Sequence, residues 1–176
     1  MTIRPRREED VQDLLRVAAR VRDLDGYPPF LPGDDFHSFL TEPAPLAAWV
    51  ADSDNSVVGH VALNGETHPG AITVARDAGV GGDLGVVARL FVDPAVRRRG
   101  YGKRLLQRAV REAVAQGRAP ILDVHATAAS AIALYRSGGW QELGRCELAI
   151  SGEAPIEEVI FGLGHGEPGL HARDAD

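Results

Sequence analysis

The run LGVVARLFVDP, at residues 84–94, constrains the fold more than any other stretch of the sequence. It is nearly continuous in apolar residues and ends at Asp-Pro, which is typical of a strand that is buried on both faces. An apolar stripe at helical spacing follows it and stops at Gly117, and its members are Tyr101, Leu105, Leu106, Ala109, Val110, Ala113 and Val114. The two patterns predict a buried strand and an amphipathic helix within a sheet that has helices on both faces.

The other elements are shorter. TIRP predicts a strand, residues 8–22 predict an amphipathic helix, and FHSFL predicts a short helix capped by Asp34 or Asp35. LAAWVADS and VVGHVALN predict an antiparallel hairpin, and AITVARDA predicts a short helix inside the glycine-rich residues 65–85. PILDVHA, TAASAIALYRSGG, WQELGRCELAI and EEVIFGL then predict strand, helix, strand and strand. We expect one domain over residues 1–163 and a frayed tail over residues 164–176, which lacks periodicity.

Composition and charge exclude several kinds of protein. The 176 residues are 44% hydrophobic and 25% charged, as in ordinary globular proteins. No apolar stretch is long enough to cross a bilayer, and MTIRPRREED lacks the apolar core of a signal peptide, so we expect a cytoplasmic protein. The net charge of -6 disfavours a nucleic-acid surface. Cys146 is the single cysteine, which excludes an internal disulfide, and its strand-like surroundings predict a buried small hydrophobe rather than a nucleophile.

A basic cluster, RRRGYGKR at residues 97–104, is a local exception to this acidity. A helix that begins after a strand presents unpaired N–H groups and the positive end of its dipole, and both attract anions. Gly100 and Gly102 let a bulky diphosphate approach the backbone. The surrounding cations are Arg97, Arg98, Arg99, Lys103 and Arg104. We therefore predict a pyrophosphate cradle, and the alternative is an exposed basic helix start that binds nothing.

Two other glycine-rich phosphate loops do not fit this cluster. A dinucleotide fingerprint needs a third glycine where this chain has Leu105. A nucleotide P-loop needs Ser or Thr after Gly-Lys, where this chain has Arg104. It also needs a glycine five residues before Gly102, where this chain has Arg97.

The chain resembles the GNAT superfamily of N-acetyltransferases at two motifs. VARLFVDPAVRRRGYGKRLLQRAVREA is similar to motif A of that family, whose signature is Arg or Gln, two residues, Gly, one residue, then Gly or Ala. AIALYRSGGW, further downstream, resembles the helix that follows in the family. The order of elements from Thr2 to Leu163 is similar too. The resemblance implies a mixed, mostly antiparallel central sheet with a splayed strand pair and helices on both faces.

The resemblance also implies acetyl-CoA as co-substrate and no metal. The strand end at Leu90, Phe91 and Val92 would pair with the pantetheine arm, and amides of Arg97, Arg98, Arg99, Gly100, Tyr101, Gly102 and Lys103 would hold the pyrophosphate. Tyr135 would protonate the departing thiolate, because a phenol of pKa about 10 is a neutral donor at pH 7. A core tyrosine is the alternative. Where the family often has an asparagine this chain has Ala128, so we expect Thr127 or Ser130 to cap the helix, with Ser130 as a further cofactor contact.

The general base is less clear, because many family members carry a glutamate on the motif A strand and this strand has none. An ammonium acceptor needs a base before it can attack. His60 and His125 are the candidates, since both lie on predicted strands near the splay and histidine titrates near neutrality. Glu66 and Asp83 flank the glycine-rich segment, and Glu66 is a candidate substrate contact. Each of these groups alone is also consistent with a structural or solvent-exposed role.

Arg89 is a charge inside an apolar strand and requires a partner. Either a substrate carboxylate or an internal Asp or Glu satisfies that requirement. The acids Asp23, Asp25, Asp34 and Asp35 precede or form the region that lines the acceptor side in the family, and they would either attract a cationic amine or form a solvated loop.

The sequence therefore predicts an acetyl-CoA-dependent N-acetyltransferase that acts on a primary amine of a small molecule or peptide by direct attack in a ternary complex. The alternative is a catalytically silent acyl-CoA-binding sensor or interaction module. Acetylation of a nucleic-acid-bound amine is disfavoured by the net acidity. We expect neither a nucleic-acid nor a membrane partner, and a homodimer is compatible with the sequence.

Overall fold

A computed structural model describes residues 2–28, 31, 35–53, 56–150 and 154–164. Asp34 and residues 165–176 lie outside the described residues, so the alternative cap at Asp34 and the frayed tail stay predictions. No helix of the described part is long and apolar enough to cross a membrane.

The described chain forms a mixed α/β structure, as predicted. Its strands are β1 (Thr2–Pro5), β2 (Ala47–Ser53), β3 (Ser56–Asn64), β4 (Leu84–Val92), β5 (Ala119–His125), β6 (Gln141–Leu148) and β7 (Ile156–Gly162). Its helices are α1 (Val11–Asp25), α2 (Phe36–Thr41), α3 (Pro69–Asp77), α4 (Tyr101–Ala115) and α5 (Ala129–Ser137). Short 3-10 turns precede α1 and α4, at Glu8–Asp10 and Pro94–Val96.

The strands form one sheet in the order β1-β2-β3-β4-β5-β7-β6. Every neighbouring pair is antiparallel except β4 and β5, which are parallel. Most of the predicted stripe of α4 packs on one face, where Leu105, Ala109 and Leu122 belong to the largest apolar cluster, whereas Val114 is exposed. Helices α1 and α3 cover the other face, over separate clusters. The mostly antiparallel sheet with helices on both faces is thereby confirmed.

Strands β4 and β5 separate soon after they begin. Their parallel register runs only through Leu84, Gly85 and Val86 of β4. Helix α4 packs tightly at this closed end, since a Cβ on Gly85 would lie 2.7 Å from the Cβ of Ala113. Beyond Val86, β4 pairs only with β3, and beyond Ile121, β5 pairs only with β7. A gap therefore opens between the carboxyl ends of β4 and β5, and this gap is the predicted splay.

Helix α3 is an unusual connection. Strands β3 and β4 are antiparallel neighbours, which a two-residue hairpin turn is able to join. The chain instead uses residues 65–83 to build α3, which packs against β6 and β7. The prediction of a short helix in AITVARDA is confirmed, and the helix begins earlier, at Pro69.

Two local predictions are wrong and one is confirmed. Neither Thr127 nor Ser130 caps α5, because Ala128 is its N-cap residue and no side chain bonds there. Cys146 is half-buried in β6, beside polar groups, and is not a fully buried hydrophobe. The cap of α2 by Asp35 is confirmed, since its carboxylate accepts from the Ser38 amide at 2.9 Å.

Candidate functional site

The turn between β4 and α4 is shaped to leave backbone amides free at its surface. The Asp93 carboxylate accepts from the Ala95 amide at 3.0 Å, which begins the short 3-10 turn. Gly100 then takes a left-handed φ of +82° as the N-cap of α4, a conformation that favours glycine. No side chain caps this helix, and its first backbone bond is donated by the Arg104 amide to the Gly100 carbonyl. The amides of the first turn are thus available to an anion.

Basic side chains surround these amides. Arg98, Arg99, Lys103 and Arg104 are exposed. Arg97 is engaged more closely, since its guanidinium pairs with Asp25 at the end of α1 and its Nε lies 3.3 Å from the Val92 carbonyl oxygen. The combination of a dipole, unpaired amides and cations makes this turn a candidate anion site, which we refer to below as the anion site.

Gly102 differs from Gly100 in what its missing side chain allows. A Cβ on Gly102 would lie 3.6 Å from Leu134 Cδ2 and 3.8 Å from Val92 Cγ2, which are ordinary contacts. Packing within the protein therefore does not require glycine here. The predicted reason, close approach of a bulky anion, is compatible with this space.

A β-bulge interrupts β4 where the gap opens. His60 of β3 lies opposite Phe91 and Ala62 lies opposite Ala88, so Arg89 and Leu90 together face one residue of β3. Arg89 has a left-handed φ of +55°. The bulge removes backbone groups of β4 from the regular ladder at the edge of the gap.

The Arg89 guanidinium is held by backbone carbonyls. It donates to the oxygens of Leu40 at 3.2 Å, Glu42 at 2.5 Å and Pro43 at 3.3 Å, all at or just after the end of α2. Of the two predicted alternatives, the internal Asp or Glu partner is wrong, because backbone carbonyls satisfy the guanidinium instead. Arg89 ties the bulge to the connection between α2 and β2, and the prediction that it contacts substrate is not tested by these bonds.

His60 is completely buried beneath the bulge. Its Nδ1 lies 2.9 Å from the Arg89 carbonyl oxygen, to which it donates, and its Nε2 lies 3.4 Å from Nη1 of Arg6. The ring stacks on Phe91 with centroids 5.4 Å apart. Burial lowers the pKa of His60 to about 3, and the charges of Arg6 and Arg89 act in the same direction. A neutral, enclosed imidazole of this kind stabilises the bulge.

Tyr135 lies on α5, and only 7% of its surface is exposed. Its ring packs against Trp140 and Phe161, with centroids 6.1 and 6.0 Å away. Burial, and then the nearby charge of Asp123, raise the pKa of its phenol. The hydroxyl is therefore a proton donor at neutral pH.

A second polar group of residues faces the same side of the sheet as α3. We call it the carboxylate–histidine cluster, and its members are Thr67, His68, Asp123, His125 and Glu158. Thr67 Oγ1 donates to Asp123 Oδ1 at 2.9 Å, and His68 Nε2 lies 2.7 Å from Glu158 Oε2. Asp123 and His125 lie on the unpaired edge of β5, and Glu158 is the β7 residue opposite His125. The cluster thus borders the gap.

Electrostatic coupling links the cluster to both tyrosines beside the gap. Burial raises the pKa of Glu158, and the charge of Asp123 raises it further. Asp123 also raises the pKa of Tyr27, for which burial is the main cause and Tyr135 another. The atom Nε2 of His125 is buried without a hydrogen-bond partner in the described residues, and burial lowers the pKa of this histidine. Asp123 is the group common to these interactions.

Three atoms of this region are close enough to suggest a metal site. The ligand atoms of His68, Cys146 and Glu158 lie within 4.8 Å of one another. However, Nδ1 of His68 accepts from the Ala71 amide at 3.4 Å, which leaves the proton on Nε2, and that proton points to Glu158. This tautomer binds a carboxylate rather than a cation.

The structure brings some predicted residues together and separates others. Leu90, Phe91, Val92 and His125 belong to strands that border the gap, and Tyr135 lies close enough to Asp123 of β5 for that charge to raise its pKa. Ser130 and Glu66 are exposed, on α5 and in the segment before α3. Sequence reasoning missed Asp123, Thr67, His68, Glu158 and Tyr27. The one available signal was the alternation in ILDVH, which places Asp123 on the same strand face as His125.

Comparisons with known proteins agree on one family. Residues 9–140 match the model of the acetyltransferase (GNAT) family. A ribosomal-protein-S18-alanine N-acetyltransferase from Escherichia coli has a similar fold, with a TM-score of 0.66, 20% identity and 97% of each chain covered. Arabidopsis thaliana NAA60 in complex with acetyl-CoA gives a TM-score of 0.66 at 19% identity, over 92% of this chain and 96% of that one.

A third similar structure is yncA from Salmonella typhimurium, a putative acetyltransferase with its cofactor acetyl-CoA. Its TM-score is 0.65 at 15% identity, over 96% of this chain and 95% of that one. No curated protein matches the sequence significantly.

Proposed function

Because the chain belongs to the GNAT family of acetyltransferases, we propose that it transfers the acetyl group of acetyl-CoA to a primary amine of a small molecule or peptide. The transfer is by direct attack in a ternary complex. The observation that carries this proposal is the gap between β4 and β5, which has the anion site at the end of β4 and a tyrosine and a carboxylate beside it.

The cofactor side of the gap is assigned to β4 and α4. Amides and cations of residues 97–103 hold the pyrophosphate, and the strand end from Leu90 to Val92 offers unpaired backbone groups to the pantetheine arm. The similar structures of NAA60 and yncA contain acetyl-CoA, which supports the same co-substrate here.

Tyr135 is assigned as the general acid. In the transfer, a bond forms between the amine nitrogen and the acetyl carbon, and the bond from that carbon to sulfur breaks. The departing thiolate takes the proton of the Tyr135 hydroxyl, which is protonated because burial raises its pKa. The nitrogen releases its second proton to solvent as the amide forms, and the phenolate takes a proton from solvent, which restores the Tyr135 hydroxyl.

The base is assigned to the unpaired edge of β5. His60 is fully enclosed and its pKa of about 3 leaves it neutral, so we give it a structural role. Asp123 and His125 are both half-buried on the strand that borders the gap, and Asp123 is also close enough to Tyr135 to shift its pKa. Asp123, directly or through a water, receives the proton of the ammonium, and His125 is the second candidate.

The alternative function is an acyl-CoA-binding sensor without turnover. The absence of an acidic residue on β4 favours it, since the usual position of the base in the family is then empty. In that case the carboxylate–histidine cluster would stabilise the fold without contacting an amine.

The experiment that tests the proposal is a calorimetric titration of the protein with acetyl-CoA, with NAD and ATP as controls under the same conditions. We expect binding of acetyl-CoA alone, followed by amine-dependent release of free thiol in a screen of amines. Binding without thiol release from any amine would favour the sensor. Binding of none of the three ligands would contradict both functions.

A further inference from the structure

The segment between β3 and α3 gives the gap a second wall, and the inference below rests on the proposed acetyltransferase function. A hairpin turn would have sufficed to join β3 to β4. The longer connection instead carries Thr67 onto Asp123 and His68 onto Glu158. It therefore fixes two carboxylates that belong to neighbouring strands of the open side of the sheet.

These two carboxylates have no strong cation as a partner among the described residues. The buried guanidinium of Arg89 donates to backbone carbonyls at the end of α2, and Nη1 of Arg6 donates to the Leu40 carbonyl oxygen at 2.8 Å. The ion pairs of the described part include Glu158 with His68 and none for Asp123. Glu158 is only 4% exposed. Glu158 is buried and Asp123 is half-buried, and in the described residues neither pairs with a guanidinium or an ammonium group, so a ligand that supplies positive charge would offset the cost of placing two carboxylates near each other.

A third group in the same place also lacks a partner. The buried Nε2 of His125 makes no hydrogen bond in the described residues, although His125 lies directly opposite Glu158 in the β5–β7 pairing. A buried polar atom of this kind is uncommon in folded proteins, and a bound ligand is one way to satisfy it.

We propose that Asp123 and Glu158 form a two-carboxylate acceptor subsite, which selects a short alkyl amine that carries a second cationic group and rejects one that carries a carboxylate. The two positions are diagonal neighbours on adjacent strands, since Asp123 lies opposite Ile160 and Glu158 lies opposite His125. Such positions are about 7–8 Å apart. A four-carbon diamine is able to bridge two carboxylates at this spacing.

The two carboxylates have different tasks in this arrangement. Asp123 lies on β5, the strand that borders the gap, whereas Glu158 lies on β7, one strand farther away, so Asp123 takes the proton of the attacking ammonium. Glu158 is held by His68 farther along the sheet, so it keeps the second ammonium charged and in place. The nitrogen at Asp123 forms the bond to the acetyl carbon, and the thiol leaves as described above.

The test measures binding of three amines of equal chain length to the protein saturated with coenzyme A, which excludes transfer. The amines are 1,4-diaminobutane, butylamine and 4-aminobutanoate. We expect 1,4-diaminobutane to bind at least tenfold more tightly than butylamine. We expect 4-aminobutanoate to bind at least tenfold more weakly than butylamine. Equal affinities, absence of amine binding, or a preference for 4-aminobutanoate would overturn the proposal.

Variants that remove one charge and keep the shape locate the effect. Glu158→Gln should reduce the preference for 1,4-diaminobutane over butylamine to less than threefold, while Asp123→Asn should weaken both amines at least tenfold. Glu157→Gln is the matched control, because Glu157 is the adjacent, exposed residue of β7 and pairs with Arg145. An unchanged preference in Glu158→Gln, or the same loss in Glu157→Gln, would contradict the assignment.

The same titrations with ligand-free protein separate this inference from the proposed function. Loss of coenzyme A binding with the amine order retained would contradict the transferase and leave the subsite standing. Binding of coenzyme A without the expected order of amine affinities would contradict the subsite and leave the transferase proposal standing. Should Glu158→Gln fail to fold, as judged by circular dichroism, the response of Asp123→Asn decides the result.

Discussion

The anion site at the start of α4 and the carboxylate–histidine cluster differ in how far apart their residues lie in the sequence. The anion site comes from one continuous stretch, residues 93–104, and its main ligands are backbone amides and exposed cations. The cluster takes Thr67 and His68 from one segment, Asp123 from β5 and Glu158 from β7, and its groups are buried or half-buried. Backbone anion sites are local and visible in a motif, whereas side-chain sites are assembled by the register of distant strands.

Because of this difference, we expect substitutions in the anion site and in the cluster to have different effects. Exposed cations on a helix start are individually weak and interchangeable because water screens them. The carboxylates of Asp123 and Glu158 are each held by one side-chain hydrogen bond, and water screens them less. We therefore expect steric and charge changes in the anion site to act on cofactor affinity, and changes near the cluster to act on turnover and acceptor binding.

The largest effect is expected from Gly102→Glu. A Cβ at this position makes only ordinary contacts, so the fold is retained, but the longer side chain places a carboxylate among the amides that we propose as the pyrophosphate site. We expect acetyl-CoA affinity, measured by calorimetry, to fall at least about 100-fold, since repulsion replaces a charge-assisted contact. Gln107→Glu adds the same charge to an exposed position of α4 and should change affinity little. Similar losses of acetyl-CoA affinity in both variants would mean that added negative charge anywhere on α4 weakens binding, which would contradict a specific anion site at Gly102.

Tyr135→Phe changes a residue close to the carboxylate–histidine cluster, since the charge of Asp123 raises the pKa of Tyr135. The ring contacts with Trp140 and Phe161 are retained, so the melting temperature and acetyl-CoA affinity should stay close to those of the unchanged protein. Turnover with the best amine of a screen should fall by about 100-fold, the lower end of what a positioned acid contributes. Steady-state kinetics of thiol release measure it, and normal turnover would make Tyr135 a packing residue.

The fold was predictable because its strongest signals are local. The apolar run of β4 and the apolar stripe of α4 are each recognisable from a short stretch of sequence. The caps at Asp35 and Gly100 follow from the residue types at those positions. The residues that border the gap depend instead on the non-sequential order β5-β7-β6, which places Glu158 beside His125. No pattern in a single sequence states that order.

His60 and Arg89 illustrate the same limit within β3 and β4. The sequence indicates His60 as a candidate base and Arg89 as a charge inside an apolar strand. Their partners depend on the bulge, which shifts the β3–β4 register between His60 and Ala62 and directs the Arg89 carbonyl toward the imidazole. A candidate base therefore became a buried neutral histidine, a distinction that burial makes and sequence pattern does not.

The role of His60 predicts a pH dependence of stability. Its folded pKa of about 3 lies below the unfolded value near 6.5, so its contribution is complete above pH 6.5 and is lost as the pH falls from 6.5 toward 3. One proton gives a slope of about 1.4 kcal/mol per pH unit in the free energy of unfolding. Urea unfolding at pH 7.5, 6 and 5 should show a smaller slope in His60→Asn than in the unchanged protein. His37→Asn, at an exposed position of α2, should keep the original slope, and an equal slope in His60→Asn would contradict a neutral buried imidazole.

The smallest effect is expected from Asp25→Asn, at the point where the anion site meets the acceptor side. Asp25 ends α1 and pairs with Arg97, and Tyr27 follows it after the left-handed Gly26. Under the proposed function, Arg97 exchanges this carboxylate for a phosphate of the cofactor, so we expect acetyl-CoA affinity to rise about threefold. Asp23→Asn removes the same charge from an exposed neighbour and should raise affinity less, and high salt should shrink both effects. Weaker binding in Asp25→Asn would mean that the ion pair instead holds Arg97 in its binding position, so that the end of α1, which leads to Tyr27, helps to build the anion site.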